Sequence, residues 1–381
     1  MYSRIINYPQ NKSFFLFGPR GTGKTSWVRS AFPRAVYVDL LAAETFNDLL
    51  AHPGRLEQLV PQGFSDWIIL DEVQKVPELL NEVHRLIETR RYKFVLTGSN
   101  ARKLRRKGVN LLAGRALTLM MHPLTARELS NDFRLEHSLR FGQLPCAYTE
   151  ADPKRYLESY VQTYLKEEVQ QEGLTRNLAA FTRFLESASF SQGAILSIAG
   201  VARECAVERK VVEQYFVILE DLLLAERLPA FTKRAKRRMA AHPKFYFFDV
   251  GIYRTLRPMG PLDRPEEAEG AAYETLLYQE LKAVNADEGL DYDLFYWRTA
   301  TGLEVDFVAY GPKGIHAFEV KRTARVGSDA LRGLKAFRAD YPSARTYCIY
   351  GGDRRMEMEG IQVIPFEECL KTLPSLLAIH E

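Results

Sequence analysis

Gly18-Pro19-Arg20-Gly21-Thr22-Gly23-Lys24-Thr25 follows directly on the apolar run Ser13-Phe14-Phe15-Leu16-Phe17, and this junction decides the reading of the N-terminal third. The stretch completes G-x-x-x-x-G-K-[ST] behind a strand-like run, which predicts strand, loop and helix in that order. Glycines at both ends let the backbone curl so that successive N–H groups point inward at phosphate oxygens, and the following helix adds its positive end. Lys24 is placed to reach the β and γ phosphates, while the Thr25 hydroxyl, with Ser26 beside it, is placed to ligate Mg²⁺. Gly18 to Ser26 therefore read as a nucleoside triphosphate site.

Phosphoryl transfer also needs the cation held from a neighbouring strand and a water oriented for attack. Trp67-Ile68-Ile69-Leu70-Asp71-Glu72 supplies both: an apolar run predicts a buried parallel strand, with Asp71 at its carboxyl end for Mg²⁺ and Glu72 placed to polarise the water. A third strand, Phe94-Val95-Leu96-Thr97, ends in Thr97-Gly98-Ser99-Asn100. The polar tip there reads either as a γ-phosphate sensor at Thr97 or as an ordinary strand-to-loop turn.

The composition suits a soluble, cytoplasmic, multidomain chain. At 381 residues, two or three domains are expected, and 46% hydrophobic residues can fill more than one core. No apolar run reaches the ~20 residues that span a bilayer, and the N-terminus lacks signal-peptide character. Cys146, Cys205, Cys348 and Cys369 are scattered without a C-x-x-C pair, against a disulfide framework or structural zinc site. A net charge of +4 permits nucleic-acid binding without requiring it.

With the phosphate loop, the Asp71-Glu72 strand end and Leu96-Thr97-Gly98-Ser99-Asn100, two further stretches carry a resemblance: Leu112-Ala113-Gly114-Arg115 and Pro123-Leu124-Thr125-Ala126-Arg127-Glu128. Together they resemble the AAA-type ATPase of a large prokaryotic family in which the ATPase is fused to a C-terminal domain of unknown function of the DUF4143 type. The likeness runs almost end to end and is looser in the helical middle. It implies a five-stranded parallel sheet with ATP and Mg²⁺ as cofactors. Arg115 then reads as an arginine finger acting in trans within a homo-oligomer, as an internal γ-phosphate contact, as a nucleic-acid contact, or as a surface arginine.

Two basic clusters stand out: Arg102, Lys103, Arg105, Arg106 and Lys107, and then Lys233, Arg234, Lys236, Arg237 and Arg238. Each can neutralise phosphates or form a solvated loop. The second has structural context. Tyr156 to Glu172 and Leu178 to Ser187 have helical spacing; Leu196 to Arg203, a turn at Cys205-Ala206 and Glu208 to Leu224 then resemble a helix-turn-helix. Ala225 to Phe231 and Lys244 to Phe248 read as β, with the basic run between them. This is a winged-helix layout with the cations at the wing tip and Arg209, Lys210 and Glu213 exposed on the second helix. It reads as a DNA-binding module, or as a packing module or ATPase lid with the same fold.

The C-terminal third carries a second constellation. Tyr273 to Val284 predicts an amphipathic helix bearing Glu274 and Glu280, and Leu294 to Arg298 a strand. Glu304-Val305-Asp306-Phe307-Val308-Ala309 and Ile315-His316-Ala317-Phe318-Glu319-Val320-Lys321 predict a hairpin turning at Gly311 to Gly314. Residues i and i+2 of a strand share a face, so Glu319 and Lys321 project together and the hairpin brings Asp306 alongside. The order matches PD-(D/E)xK nucleases. Asp306 and Glu319 would bind Mg²⁺, Lys321 would position the attacking water, and the resemblance places a further acid on the helix, where Glu274 matches better than Glu280. A cross-strand salt bridge is the plain alternative. His316 alternates to the opposite face and reads as structural.

The expected fold is α/β: a P-loop ATPase of the AAA type over 1–150, a helical winged-helix middle over 151–257, and a restriction-endonuclease-like domain over 258–381, with Pro258 to Glu269 a mobile connector. The expected function is Mg²⁺-dependent ATP hydrolysis coupled to binding or cleaving nucleic acid. The alternative is an ATP-controlled DNA- or protein-binding switch with a silent nuclease-like core.

Overall fold

The structure, a computed structural model, describes residues 2–99, 112–165, 169, 177–237, 239, 242–261 and 263–378. The first basic cluster, Arg102 to Lys107, lies outside these residues, as do Asn100 and Arg238. By internal packing the chain forms two compact units: Arg4–His122 with Asp221–Leu223, and Pro123–Glu220 with Leu224–Glu381 and Met1–Ser3.

In the first unit, five strands form a sheet in the order β2-β3-β4-β1-β5: β1 is Ser13–Phe17, β2 Val36–Asp39, β3 Trp67–Asp71, β4 Lys93–Gly98 and β5 Ala116–Met120. All four neighbouring pairs are parallel. A parallel sheet is covered on both faces, so its strands read as continuous apolar runs. Phe15, Phe17, Ile68, Leu70, Phe94 and Leu96 enter one core, while Phe14, Leu16, Trp67, Ile69 and Val95 enter the other. The helices Lys24–Ala31 and Leu79–Arg90 follow β1 and β3. β4 therefore lies between the strand that delivers the phosphate loop and the strand that delivers Asp71.

The second unit combines the helical middle with a six-stranded mixed sheet, ordered β12-β13-β11-β10-β9-β8. Here β8 is Asp293–Arg298, β9 Glu304–Gly311, β10 Gly314–Lys321, β11 Arg345–Tyr350, β12 Met356–Met358 and β13 Ile361–Pro365. β9 and β10 form the expected antiparallel hairpin, with Phe307 opposite Phe318, one step short of Asp306 and Glu319. The long helix Pro265–Asp287 begins inside the expected connector: Pro265 occupies its first turn, where a missing N–H costs nothing, and Glu266 and Glu267 follow at its positive end.

Two helices, Ile198–Cys205 and Arg209–Asp221, occupy the stretch expected to form a helix-turn-helix. Ser197 caps the first helix by accepting from the Gly200 N–H at 3.2 Å, and Ala206 turns the chain at φ 55°. A two-stranded antiparallel sheet follows: β6, Ala225–Leu228, and β7, Lys244–Phe247. The segment between β6 and β7 departs from a free wing. Its backbone pairs with the edge strand β8, the Phe231 N–H donating to Tyr296 O at 2.7 Å and the Tyr296 N–H to Pro229 O at 3.0 Å. Phe231 is buried with Trp297, Val305 and Phe337. Covering an edge strand removes its unpaired N–H and C=O groups from water.

Candidate functional site

The phosphate loop is held in shape by its own backbone and by one distant arginine. Gly21 and Gly23 adopt φ of 82° and 93°, and a Cβ on Gly18 would stand 2.3 Å from Met121 O. Arg4, absent from the sequence reading, donates to Thr22 O at 2.8 Å and His122 O at 2.7 Å. The Thr22 hydroxyl donates to Pro19 O at 2.8 Å. The Lys24 ammonium is buried and folds back over the loop, donating to Gly18 O at 2.7 Å and Pro19 O at 3.0 Å. Arg20, Thr25 and Ser26 are exposed.

Side chains from the helix after β1, from β2 and from β4 converge on Asp71. The Thr25 hydroxyl donates to Asp71 Oδ2 at 2.9 Å, and Thr97 from β4 and Tyr37 from β2 donate to the same carboxylate. Tyr37 was not anticipated; burial, then its bond to Asp71, pushes its phenol above the ordinary range, and the Arg29 guanidinium lies 4.1 Å from its ring centroid. Glu72 sits in the left-handed region at φ 61°, its N–H donating to Thr97 Oγ1 at 3.2 Å. Its carboxylate is held by Gln74, whose amide also donates to Ser99 Oγ at 3.2 Å. One hydroxyl beside one carboxylate fits Mg²⁺, which keeps waters and takes phosphate oxygens alongside few protein ligands. When bound there, the ion would neutralise charge developing on the phosphates. Thr25 and Asp71 would hold it, Lys24 would meet the phosphates, and Glu72 stands next in line to orient water.

Arg115 is not an internal γ-phosphate contact. It precedes β5, whose Ala116 lies beside Ser13, the end of β1 remote from the phosphate loop. Roughly 13–17 Å of strand separates the two ends at about 3.3 Å per residue. Arg115 instead forms a surface ion pair with Glu88.

The C-terminal constellation assembles around a residue the sequence reading passed over. The Asp306 carboxylate accepts from the Val320 N–H at 2.8 Å, and Lys321 Nζ donates to Glu319 Oε1 at 2.6 Å. Lys244 of β7 stands among the acids: its ammonium lies 2.5 Å from Glu304 Oε1, 3.5 Å from Asp306 Oδ1 and 3.8 Å from Glu274 Oε2. Tyr246, two residues on and on the same face, donates to Glu274 Oε2 at 3.1 Å. Burial and then Asp306 raise Glu274 to about 7 and hold Glu319 well above the carboxylate range. Burial disfavours the Lys244 ammonium, but the acids around it, Glu274, Asp306 and Glu304, outweigh burial and raise its pKa above the ordinary lysine value. Glu319 Oε2 is buried without a hydrogen-bond partner.

Among the described residues, no three His, Cys, Asp or Glu side chains are arranged to hold a metal ion, so Glu274, Asp306 and Glu319 do not form the expected ready-made Mg²⁺ site. The physical reason is the ammonium of Lys244 between Glu274 and Asp306. Glu280 separates from Glu274: its carboxyl accepts from the Ala126 N–H at 2.7 Å and Gln143 Nε2 at 3.0 Å, and burial raises it to about 8. His316 is buried against Tyr292 and Tyr347, with burial lowering its pKa to about 4.

The basic candidates divide. Arg209 and Lys210 are exposed at the start of their helix, and Arg234 and Lys236 are exposed. Lys233 and Arg237 are not free wing-tip cations: Lys233 lies 3.3 Å from Asp293 and 4.3 Å from the Tyr310 ring centroid, and Arg237 lies 2.8 Å from Asp340. Pairing of their segment with β8 brings Lys233 to Asp293 at the start of that strand and Arg237 to Asp340 at the end of the helix Arg332–Asp340.

Residues 10–130 match the family model of an AAA domain, residues 133–263 a domain of unknown function, DUF8612, and residues 269–369 another, DUF4143. The matches give the chain an AAA-type domain, which carries the phosphate loop, followed by a DUF4143-type C-terminal region. The chain is 26% identical over 376 residues to an uncharacterized protein of Mycobacterium tuberculosis and to one of Mycobacterium bovis, covering 96% of this chain and 82% of each relative. Among solved structures, the Aeropyrum pernix ORC1 protein in complex with DNA matches at TM-score 0.25 and 13% identity, over 66% of this chain and 87% of that one. The ADP form of Aeropyrum pernix ORC2 matches at 0.29 and 12%, over 71% and 88%. A Vibrio cholerae protein matches at 0.25 and 14%, over 96% and 97%. Scores this low define no common fold. No helix among the described residues is long and apolar enough to cross a membrane.

Proposed function

We propose that this chain is a Mg²⁺-dependent ATPase whose nucleotide cycle controls engagement of nucleic acid. The observation that carries the reading is the convergence of Thr25, Thr97 and Tyr37 on Asp71 beside the glycine-rich loop over which Lys24 folds. Arg209 and Lys210 on the second helix of the winged-helix-like segment, with Arg234 and Lys236, supply exposed charge for a phosphate backbone. Arg115 enters hydrolysis only if a second copy presents it in trans.

The C-terminal sheet divides two versions of this function. Glu274, Asp306, Glu319 and Lys321 supply the residue types of a PD-(D/E)xK nuclease, which supports cleavage. The Lys244 ammonium among those acids favours the second version, an ATP-controlled binding switch with a silent nuclease-like core.

The test follows phosphate release, DNA retention and strand integrity together, on single-stranded, duplex and branched DNA with Mg²⁺ and ATP. Phosphate release lost in Lys24→Ala, together with nucleotide-dependent DNA retention, is the expected result. Phosphate release that survives Lys24→Ala refutes the ATPase site, and cleavage lost in Lys321→Ala replaces the switch by the nuclease.

A further inference from the structure

The DUF4143 region meets a buried cation that none of the sequence motifs announces. Lys244 lies in an aromatic strand, Lys-Phe-Tyr-Phe, and its side chain is 3% exposed. A lysine buried this deeply survives only where anions surround it. The anions here come from two other elements, Glu274 from the long helix and Glu304 and Asp306 from β9. The Tyr296 ring adds a face 5.7 Å from the ammonium. The strand carrying Lys244 is itself pinned on both sides, by Leu228 of β6 and by a bridge to Ile195.

We propose that Lys244 is the resident cation of this carboxylate cluster, filling by charge and position the place a divalent metal would need, so that the cluster is closed to metal while β7 stays docked. The proposal rests on the silent-core version of the function above. Asp306 Oδ2 accepts from the Val320 N–H and Oδ1 faces the Lys244 ammonium at 3.5 Å, so a metal ion on the central acid would have to share it with that cation. Mg²⁺ demands near-octahedral oxygen ligation at about 2.0–2.1 Å, and an ion on Asp306 would lie against the ammonium and be repelled by it. Lys321 is a second positive charge at the cluster, already donating to Glu319 at 2.6 Å. Metal binding therefore requires withdrawal of Lys244, which its position in a paired strand opposes.

Mn²⁺ is the probe, titrated into the full-length chain without nucleotide and read as free Mn²⁺ by electron paramagnetic resonance. Asp71→Asn is present throughout to silence the phosphate-loop site. The chain with Lys244 intact should show no saturable Mn²⁺ site sensitive to a further Asp306→Asn change. Lys244→Met should gain such a site, at least about tenfold tighter than any residual binding, the ratio that 1.4 kcal/mol represents, and lose it again with Asp306→Asn. Because removal of one partner leaves buried acids unpaired, Lys244→Met with Glu304→Gln is the companion variant that keeps the cluster's charge, and it should gain the site as well. An Asp306-dependent Mn²⁺ site in the chain that keeps Lys244 overturns the proposal, as does failure of both variants to gain one. Strand cleavage by the unmodified chain sinks the silent-core version with it; an Asp306-dependent Mn²⁺ site in the chain that keeps Lys244, without cleavage, sinks this proposal alone.

Discussion

Glu280→Gln should change how stability depends on pH, by an amount the structure sets. Glu280 is 1% exposed on the long helix, with one oxygen satisfied by the Ala126 N–H and Gln143, and the other, Oε2, without a partner. Burial raises its pKa from 4.5 to about 8, with Glu128 adding to the rise and Arg127 opposing it. That step corresponds to roughly 5 kcal/mol at about 1.36 kcal/mol per unit. Below pH 4.5 both folded and unfolded chains hold the proton and the contribution is fully present. Between 4.5 and about 8 the folded state alone holds it, so stability falls by about 1.4 kcal/mol per pH unit, then levels off. Asp249, raised to about 6, and Glu274, raised to about 7, add slopes of the same sign, so the difference between variant and parent is the quantity to read. From pH 6 to 7.5 the Glu280→Gln variant should gain roughly 2 kcal/mol on its parent. Urea unfolding followed by Trp297 fluorescence, with Trp27→Phe and Trp67→Phe in both chains, reports on the unit that contains Glu280. Parallel pH slopes in the two chains would refute the reasoning, since Glu280 would then be ionised or exposed in the folded state.

Gly18→Ala drives a methyl to within 2.3 Å of a backbone carbonyl, so the loop must shift; nucleotide affinity should fall at least about tenfold, measured with a fluorescent ATP analogue, while the sheet still folds. Phe231→Ala empties a site ringed by Phe295, Tyr310, Phe337 and Tyr341 and should cost about 3–5 kcal/mol, with β8 edge amides exchanging faster by hydrogen-exchange mass spectrometry. Arg209→Ala with Lys210→Ala should weaken DNA binding uniformly across sequences and flatten its salt slope by about 1 per lysine or arginine removed. Lys233→Ala should leave that slope unchanged, because its charge is already matched by Asp293.

The ATPase strands were legible because parallel strands covered on both faces must be apolar throughout, and because a phosphate cradle tolerates few residue types at fixed offsets. Ser13–Phe17, Trp67–Asp71 and Lys93–Gly98 follow from those two demands. The β9–β10 hairpin was legible for a related reason: alternation assigns Asp306, Glu319 and Lys321 to one face whatever surrounds them. By itself, then, the sequence determined which chemical groups the chain presents along each element. The tertiary structure alone decided which of them meet. Helical angle does not separate Glu274 from Glu280, yet one faces Lys244 and Tyr246 and the other Gln143 and Ala126. Arg115 is close to β1 in space but at its wrong end, which depends on strand register. Lys233 and Arg237 read as free charge until the chain between β6 and β7 pairs with β8. Tyr37 and Lys244 carried no local signal, because a buried polar side chain is stabilised by partners distant in sequence, and only packing brings Asp71 to one and Glu274, Glu304 and Asp306 to the other.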